Sequence, residues 1–204
     1  MHCELNDGDL LRQMLAGNEQ AFTALYRTYQ AAIYRFARQM TGEAALADEV
    51  TQEVFLTLMR EGRSFNARRG SLRAWLYGIA RNCTRRCLER ERLYVGLDRE
   101  EQEENTADLL PDPRAPEDGL AGLGSRETVE QVRRAVLALP AAYREAVILC
   151  ELHELGYSEA ALILGCPVGT VRSRLHRARE LLAPRLKCLR EAPAGAVAKQ
   201  CHRW

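Results

Sequence analysis

Gly165-Cys166-Pro167-Val168-Gly169-Thr170-Val171-Arg172-Ser173-Arg174-Leu175-His176-Arg177-Ala178-Arg179 is the stretch on which the reading of this chain turns. Proline fits the first turn of a helix, where its missing N–H costs nothing. A helix starting near Pro167 puts Val171, Leu175, Ala178 and Leu182 on one stripe, at i, i+4, i+7 and i+11. The other face carries Arg172, Ser173, His176 and Arg177, with Arg174 and Arg179 at its flanks and Glu180 as its single acid. A glycine turn at Gly165-Cys166 precedes it, and a short helical run, Ser158 to Leu164, precedes the turn. Short helix, turn, basic second helix: the pattern suits a helix-turn-helix whose second helix enters the DNA major groove. It also suits an arginine-rich solvated helix in an ordinary bundle.

Working outward, 204 residues allow one or two domains. No run of 18 uncharged apolar residues occurs, and the N-terminus lacks the basic-then-apolar pattern of a signal peptide, so a cytoplasmic location is expected. Seven cysteines in no secreted-style framework suit reduced thiols. The net charge of +1 hides an asymmetry. Residues 60–92 hold ten arginines against three acids, 98–118 nine acids against two arginines, and 165–190 seven basic residues against one acid. Two basic blocks around an acidic spacer suggest two nucleic-acid contacts joined by a self-repelling linker; the acidic run also serves as a solvated loop.

The periodicity predicts helices throughout and strands nowhere. Asn18 to Met40 keeps an apolar stripe through Phe22, Leu25, Tyr29, Ile33 and Phe36, ended by Thr41-Gly42. A second helix from about Glu43 to Arg60 buries Leu46, Val50, Val54 and Leu58. Its opposite side gathers Asp48, Glu49, Gln52 and Glu53. The loop from Glu61 to Ser71 carries Phe65, Arg63, Arg68 and Arg69, with Arg73 just beyond. A third helix runs from Leu72 to about Leu93, with Trp75, Leu76, Ile79 and Cys83 inward. From about Gly96 to Gly124 the chain is acidic and proline-bearing, which predicts a flexible linker. A helix from Ser125, as N-cap, to Leu139 follows, with Val129, Val132, Val136 and Leu139 in its core face. After Pro140 another runs from Ala141 to Glu154, and beyond Leu189 periodicity is lost. The expected fold class is all-α: two helical domains, 18–94 and 125–187, an acidic linker at 95–124 and a tail at 188–204.

No glycine-rich phosphate loop, His-Glu-x-x-His or Cys-x-x-Cys is present, so nothing points to an enzyme, and no cofactor is expected. Cys83 with Cys87, and Cys150 with His153, are spaced so that each pair could share a metal. Both pairs coincide at least partly with apolar stripes, which favours core packing. Cys188, Cys201 and His202 lie near the end, where core burial gives no reason for them, so they are candidate metal ligands, as are His2 and Cys3 at the other end. The competing reading is an ordinary variable tail.

Leu139-Pro140, Tyr143-Arg144-Glu145, Gly156-Tyr157-Ser158-Glu159 and Pro167 to Leu175 resemble region 4 of the extracytoplasmic-function group of sigma-70 family factors. The chain departs from that family at Glu159-Ala160-Ala161, where the usual isoleucine is a smaller alanine. Ala47 to Leu56 resembles the region 2 helix used against the polymerase clamp, and Trp75 to Asn82 the segment that melts and reads the −10 element. The resemblance implies a sigma factor that binds core RNA polymerase and directs promoter-specific initiation, for a stress or metal/envelope response, under an anti-sigma factor or a metal-sensing tail. It assigns core binding to Asp48, Glu49, Gln52 and Glu53, with Asp48 and Gln52 foremost. It assigns −10 phosphates to Arg63, Arg68, Arg69 and Arg73, and a flipped base to Asn82, whose residue type alone favours a helix cap or a local backbone bond. For the −35 element it implies Thr170, Arg172, Ser173, His176 and Arg177 at the groove, with Arg174 on phosphate. A response-regulator-like factor would need an α/β receiver, and no such pattern is present.

Overall fold

The computed structural model describes residues 6–97 and 123–191, with side chains described over 6–91 and 128–187. Every regular element among these residues is helical. The first unit comprises α1 (Asp7–Leu15), α2 (Glu19–Thr41), α3 (Ala44–Glu61) and α4 (Leu72–Leu97). The second comprises α5 (Leu123–Leu137), α6 (Ala141–Val147) with its π-helical continuation Ile148–Leu152, α7 (Tyr157–Leu164) and α8 (Val168–Glu191).

Helix ends follow local chemistry. Asn18 caps α2, its side-chain oxygen accepting from the N–H groups of Gln20 and Ala21 at 2.9 and 3.2 Å. Gly42 ends α2 at φ 85°, a left-handed value that a side chain would strain. The predicted stripes are buried: Leu25, Ile33, Phe36, Val50, Val54, Leu58 and Leu76 in the first unit, and Leu149, Val171, Leu175 and Ala178 in the second, joined by Tyr77 and Ile148, which the stripes did not include. Cys83 and Cys87 belong to that core. Burial raises both thiols above the usual cysteine range.

Four expectations need correction. A helix, α1, precedes the one read from Asn18 and packs on α2. Ser125 does not cap α5, because the helix already begins at Leu123. Val129, expected in the core face of α5, is 66% exposed, since that turn borders an open groove. The helix after Pro140 does not reach Glu154: it widens into a π turn, and Glu154 sits at φ 53°. In addition, α8 runs on through Pro184 to Glu191, so position 188 lies within a helix, although its side chain is outside the described set. Cys201, His202, His2, Cys3 and the acidic stretch 98–122 also lie outside the described residues.

The two units pack against each other through a seam of polar and apolar contacts. At the C-terminus of α2, where helix carbonyls lack partners, Arg144 donates to the Met40 carbonyl at 2.9 Å and Arg133 to that of Gly42 at 3.5 Å. Leu137 packs closely on Gly42: a Cβ there would come within 3.1 Å of the leucine Cδ1, which would have to shift. Ser71, which caps α4, donates to Glu159 of α7 at 2.8 Å. Arg81 of α4 donates to the Ile163 carbonyl at 3.4 Å.

Candidate nucleic-acid interface

The helix-turn-helix is built by a full Schellman ending. Gly165 is left-handed at φ 63°, Cys166 N–H donates to the Ala161 carbonyl at 3.1 Å, and Gly165 N–H to that of Leu162 at 3.4 Å. That turn aims α8 outward. Val171, Leu175, Ala178 and Leu182 face the core, while Arg172, Ser173, His176 and Arg177 are exposed together and Thr170 and Arg174 are half-buried beside them. Ser173 Oγ donates to the Thr170 carbonyl at 2.9 Å. Glu180 gathers Arg177 at 2.8 Å and His176 at 3.4 Å. The Arg172 guanidinium lies 5.8 Å from the centre of the Tyr157 ring, and Arg179 pairs with Glu151. The face is a dense row of guanidinium donors of the kind that matches guanine edges and phosphates.

A second site lies on the first unit. The loop after α3 winds through a 3-10 turn at Gly62–Ser64, and Asn66 folds the next residues by accepting from Arg68 N–H at 2.9 Å. The result is a cleft of about 490 Å³ between this loop and α4, lined by Phe65, Arg69, Trp75 and Asn82 among others. Phe65 and Trp75 are 5.7 Å apart, and Trp75 is half-buried, with one face toward the cleft. Aromatic rings beside an exposed amide and a guanidinium suit an unstacked base and its phosphate. Leu162 and Ile163, from the second unit, form one wall of the same cleft. Arg63, Arg68 and Arg69 are exposed on the loop, but Arg73 is not with them: it donates to the His153 carbonyl and leans on the Tyr77 ring.

The acidic face of α3 divides in two. Glu49 is gripped by both terminal nitrogens of Arg90 at 2.8 and 2.7 Å, which holds its carboxyl below the usual carboxylate range. Glu53 pairs with Arg60 at 2.6 Å. Asp48 and Gln52 instead border a groove of about 1020 Å³ between α2, α3 and α5, beside Tyr26, Phe55, Leu56 and Met59. Leu56 and Met59 are exposed apolar side chains. Composition of the acidic face gives no hint of them; Leu56 and Met59, one and two turns beyond Gln52 and off the Leu46-Val50-Val54-Leu58 stripe, are the available signal.

Two family models match the chain, Sigma-70 region 2 over residues 25–93 and Sigma-70 region 4 over residues 129–182. The ECF RNA polymerase sigma factor SigW of Bacillus subtilis is 32% identical over 88% of this chain and 96% of its own length. The chain belongs to the extracytoplasmic-function group of the sigma-70 family. The ECF RNA polymerase sigma-E factor of Escherichia coli is 33% identical over 88% of this sigma factor and 93% of its own chain. Among solved structures, the sigma factor RpoE in complex with the anti-sigma factor NepR from Bartonella quintana superposes with a TM-score of 0.65. It is 26% identical and covers 81% of this sigma factor and 96% of its own chain. CnrH in complex with the cytosolic domain of CnrY shares the fold, at TM-score 0.64 and 24% identity. This sigma factor therefore belongs with proteins that work in transcription initiation. No helix among its described residues is long and apolar enough to cross a membrane. Nor do the described residues hold a group of three metal-ligating side chains; the ring of His153 is buried between the two units, bonded to Tyr77 and Gln39.

Proposed function

We propose that this chain binds core RNA polymerase in the cytoplasm and directs promoter-specific initiation for a stress or metal/envelope response. Residues 18–94 serve as region 2, 95–124 as an acidic linker and 125–187 as region 4. Asp48 and Gln52, with Leu56 and Met59, meet the polymerase, because they alone of the acidic face border an apolar groove able to seat a helix. Glu49 and Glu53 form its charged rim. Arg63, Arg68 and Arg69 hold −10 phosphates, and Asn82 reads a base turned out of the stack beside Phe65 and Trp75. On α8, Arg172, Ser173, His176 and Arg177 read the −35 major groove, while Thr170 and Arg174 hold its edge and backbone.

The observation that carries this reading is the cleft that brings Asn82, Arg69, Phe65 and Trp75 together on the unit matched by the region 2 model. An anti-sigma factor is the proposed regulator, in keeping with the partner named for the structurally similar sigma factor of Bartonella quintana. Run-off transcription tests the function. Discrete transcripts from candidate promoters should require both this chain and core polymerase; no promoter-dependent product from the combination overturns it.

A further inference from the structure

A buried polar node lies at the seam between the two units. His153, at the end of the π turn, is 6% exposed. Its Nε2 lies 2.9 Å from Gln39 Oε1 on α2, and its Nδ1 lies 2.7 Å from the Tyr77 hydroxyl on α4. The amide oxygen of Gln39 can only accept, so Nε2 carries the hydrogen and Nδ1 accepts from Tyr77. The neutral ring thus satisfies both bonds at once, and Phe36 packs edge-on against it. Arg73 donates to the backbone carbonyl of the same residue.

A second proton would have to sit on Nδ1, against the hydroxyl that now donates to it. Nothing around the ring welcomes that charge. From α2 it faces Arg35, and from α4 it faces Arg73 and Tyr77. The nearby carboxylates are turned to other partners: Asp7 of α1 to the Tyr29 hydroxyl, Glu145 of α6 to Arg81, Glu151 of the π turn to Arg179 on α8, and Glu159 of α7 to Ser71. Cys150 lies three residues before His153 with its thiol raised by burial, and Glu154 next to it is exposed. Among the described residues no carboxylate pairs with the ring.

We propose that the Tyr77–His153–Gln39 chain latches a closed resting form of this sigma factor, and that proton uptake by His153 releases it. Release parts the two units, removes Leu162 and Ile163 from the wall of the base-reading cleft and frees Arg73 for phosphate. The rest of the seam mixes apolar contacts, such as Leu137 on Gly42, with arginine contacts that water can replace, Arg144 on the Met40 carbonyl and Arg133 on that of Gly42.

The sign of the pH effect follows from the two states. Burial first, then Arg35 and Arg73, push the closed-state ring down to about 4. A ring exposed by opening titrates at about 6.5. The latch is therefore at full strength above about pH 6.5 and weakens as pH falls toward 4. The closed-to-open ratio drops about tenfold per pH unit across that window, about 300-fold in all.

The consequence for DNA rests on the proposed function, but the opening does not. The test therefore uses the full chain without polymerase or promoter. Small-angle X-ray scattering from pH 7.5 to 4.5 should show the radius of gyration rise as pH falls, with helical circular dichroism unchanged. The His153→Gln variant, which cannot titrate, should show a profile flat with pH. In the wild type, the His153 ring resonance should titrate in step with the expansion, and Tyr77→Phe should move that expansion to higher pH. A wild type that stays compact to pH 4.5, a His153→Gln profile that matches the wild type, or a ring that titrates while the scattering stays flat would each overturn the latch. Opening without promoter-specific transcription would leave the latch standing and remove the proposed function.

Discussion

Arg81 Nε lies 2.9 Å from Glu145 Oε1, joining α4 of the first unit to α6 of the second, with side chains only 15% and 7% exposed. It is a charge contact without an aligned hydrogen bond at that nitrogen. Removing one member of a buried pair strands the other and costs about 3–5 kcal/mol where no escape exists. Here an escape exists, because opening the seam returns the stranded charge to water. Glu145→Ala should therefore open the two units at neutral pH while leaving most of the helix content in place. Combining it with Arg81→Met should restore compactness. Scattering and circular dichroism on the same samples separate opening from unfolding; loss of helix in step with expansion would assign the pair to the core of one unit instead.

The acidic face of α3 should not act as one block. Asp48→Lys with Gln52→Lys should weaken co-elution with core polymerase at least tenfold, about 1.4 kcal/mol, because both side chains border the groove that holds Leu56 and Met59. Glu49→Ala with Glu53→Ala should do less, since neither carboxylate borders that groove. Equal losses from the two double variants would return the whole face to a single docking surface.

On α8, Arg177→Ala should cost roughly 1–3 kcal/mol on a cognate −35 duplex and far less on scrambled DNA. Arg174→Ala, half-buried at the flank, should weaken both duplexes alike and lower the slope of affinity against salt by about one. Fluorescence anisotropy over a salt series reads both quantities. If Arg177→Ala weakens every duplex equally, that side chain holds phosphate.

The helical stripes were legible because burial imposes a 3.6-residue period on the chain that is buried, whatever it packs against. The α8 face was legible for the same reason: once Val171, Leu175 and Ala178 are inward, Arg172, Ser173, His176 and Arg177 have nowhere else to point. The seam was not. Gln39 and His153 are 114 residues apart, and Arg144 and Met40 are 104 apart. A hydrogen bond at that separation leaves no mark on either neighbourhood. His153 looked like half of a Cys150–His153 pair because its spacing is local and its real partners are not. Val129 kept the apolar period of α5 yet faces a groove, since periodicity reports which face is apolar and not whether the chain itself covers it. Arg73 was grouped with Arg63, Arg68 and Arg69 by proximity in sequence; entry into α4 turns it toward the other unit.

Asn82 supplies the sharpest test of the cleft on the first unit. It is exposed within α4, one turn beyond Gly78 and on the same cleft wall as Trp75. An amide offers a donor and an acceptor in one plane, so it can tell one base edge from another, whereas the arginines of the loop contribute affinity without selection. Asn82→Ala should flatten the preference among −10 bases at one position, by roughly 1–3 kcal/mol between best and worst, and leave binding to a −35 duplex unchanged. Asn82→Asp keeps the acceptor and loses the donor, so it should shift the preferred base instead of abolishing preference. Promoters with a pre-melted −10 region isolate reading from opening. If Asn82→Ala slows initiation on duplex promoters but not on pre-melted ones, and base preference survives, the residue assists strand opening and the reader lies elsewhere in the cleft.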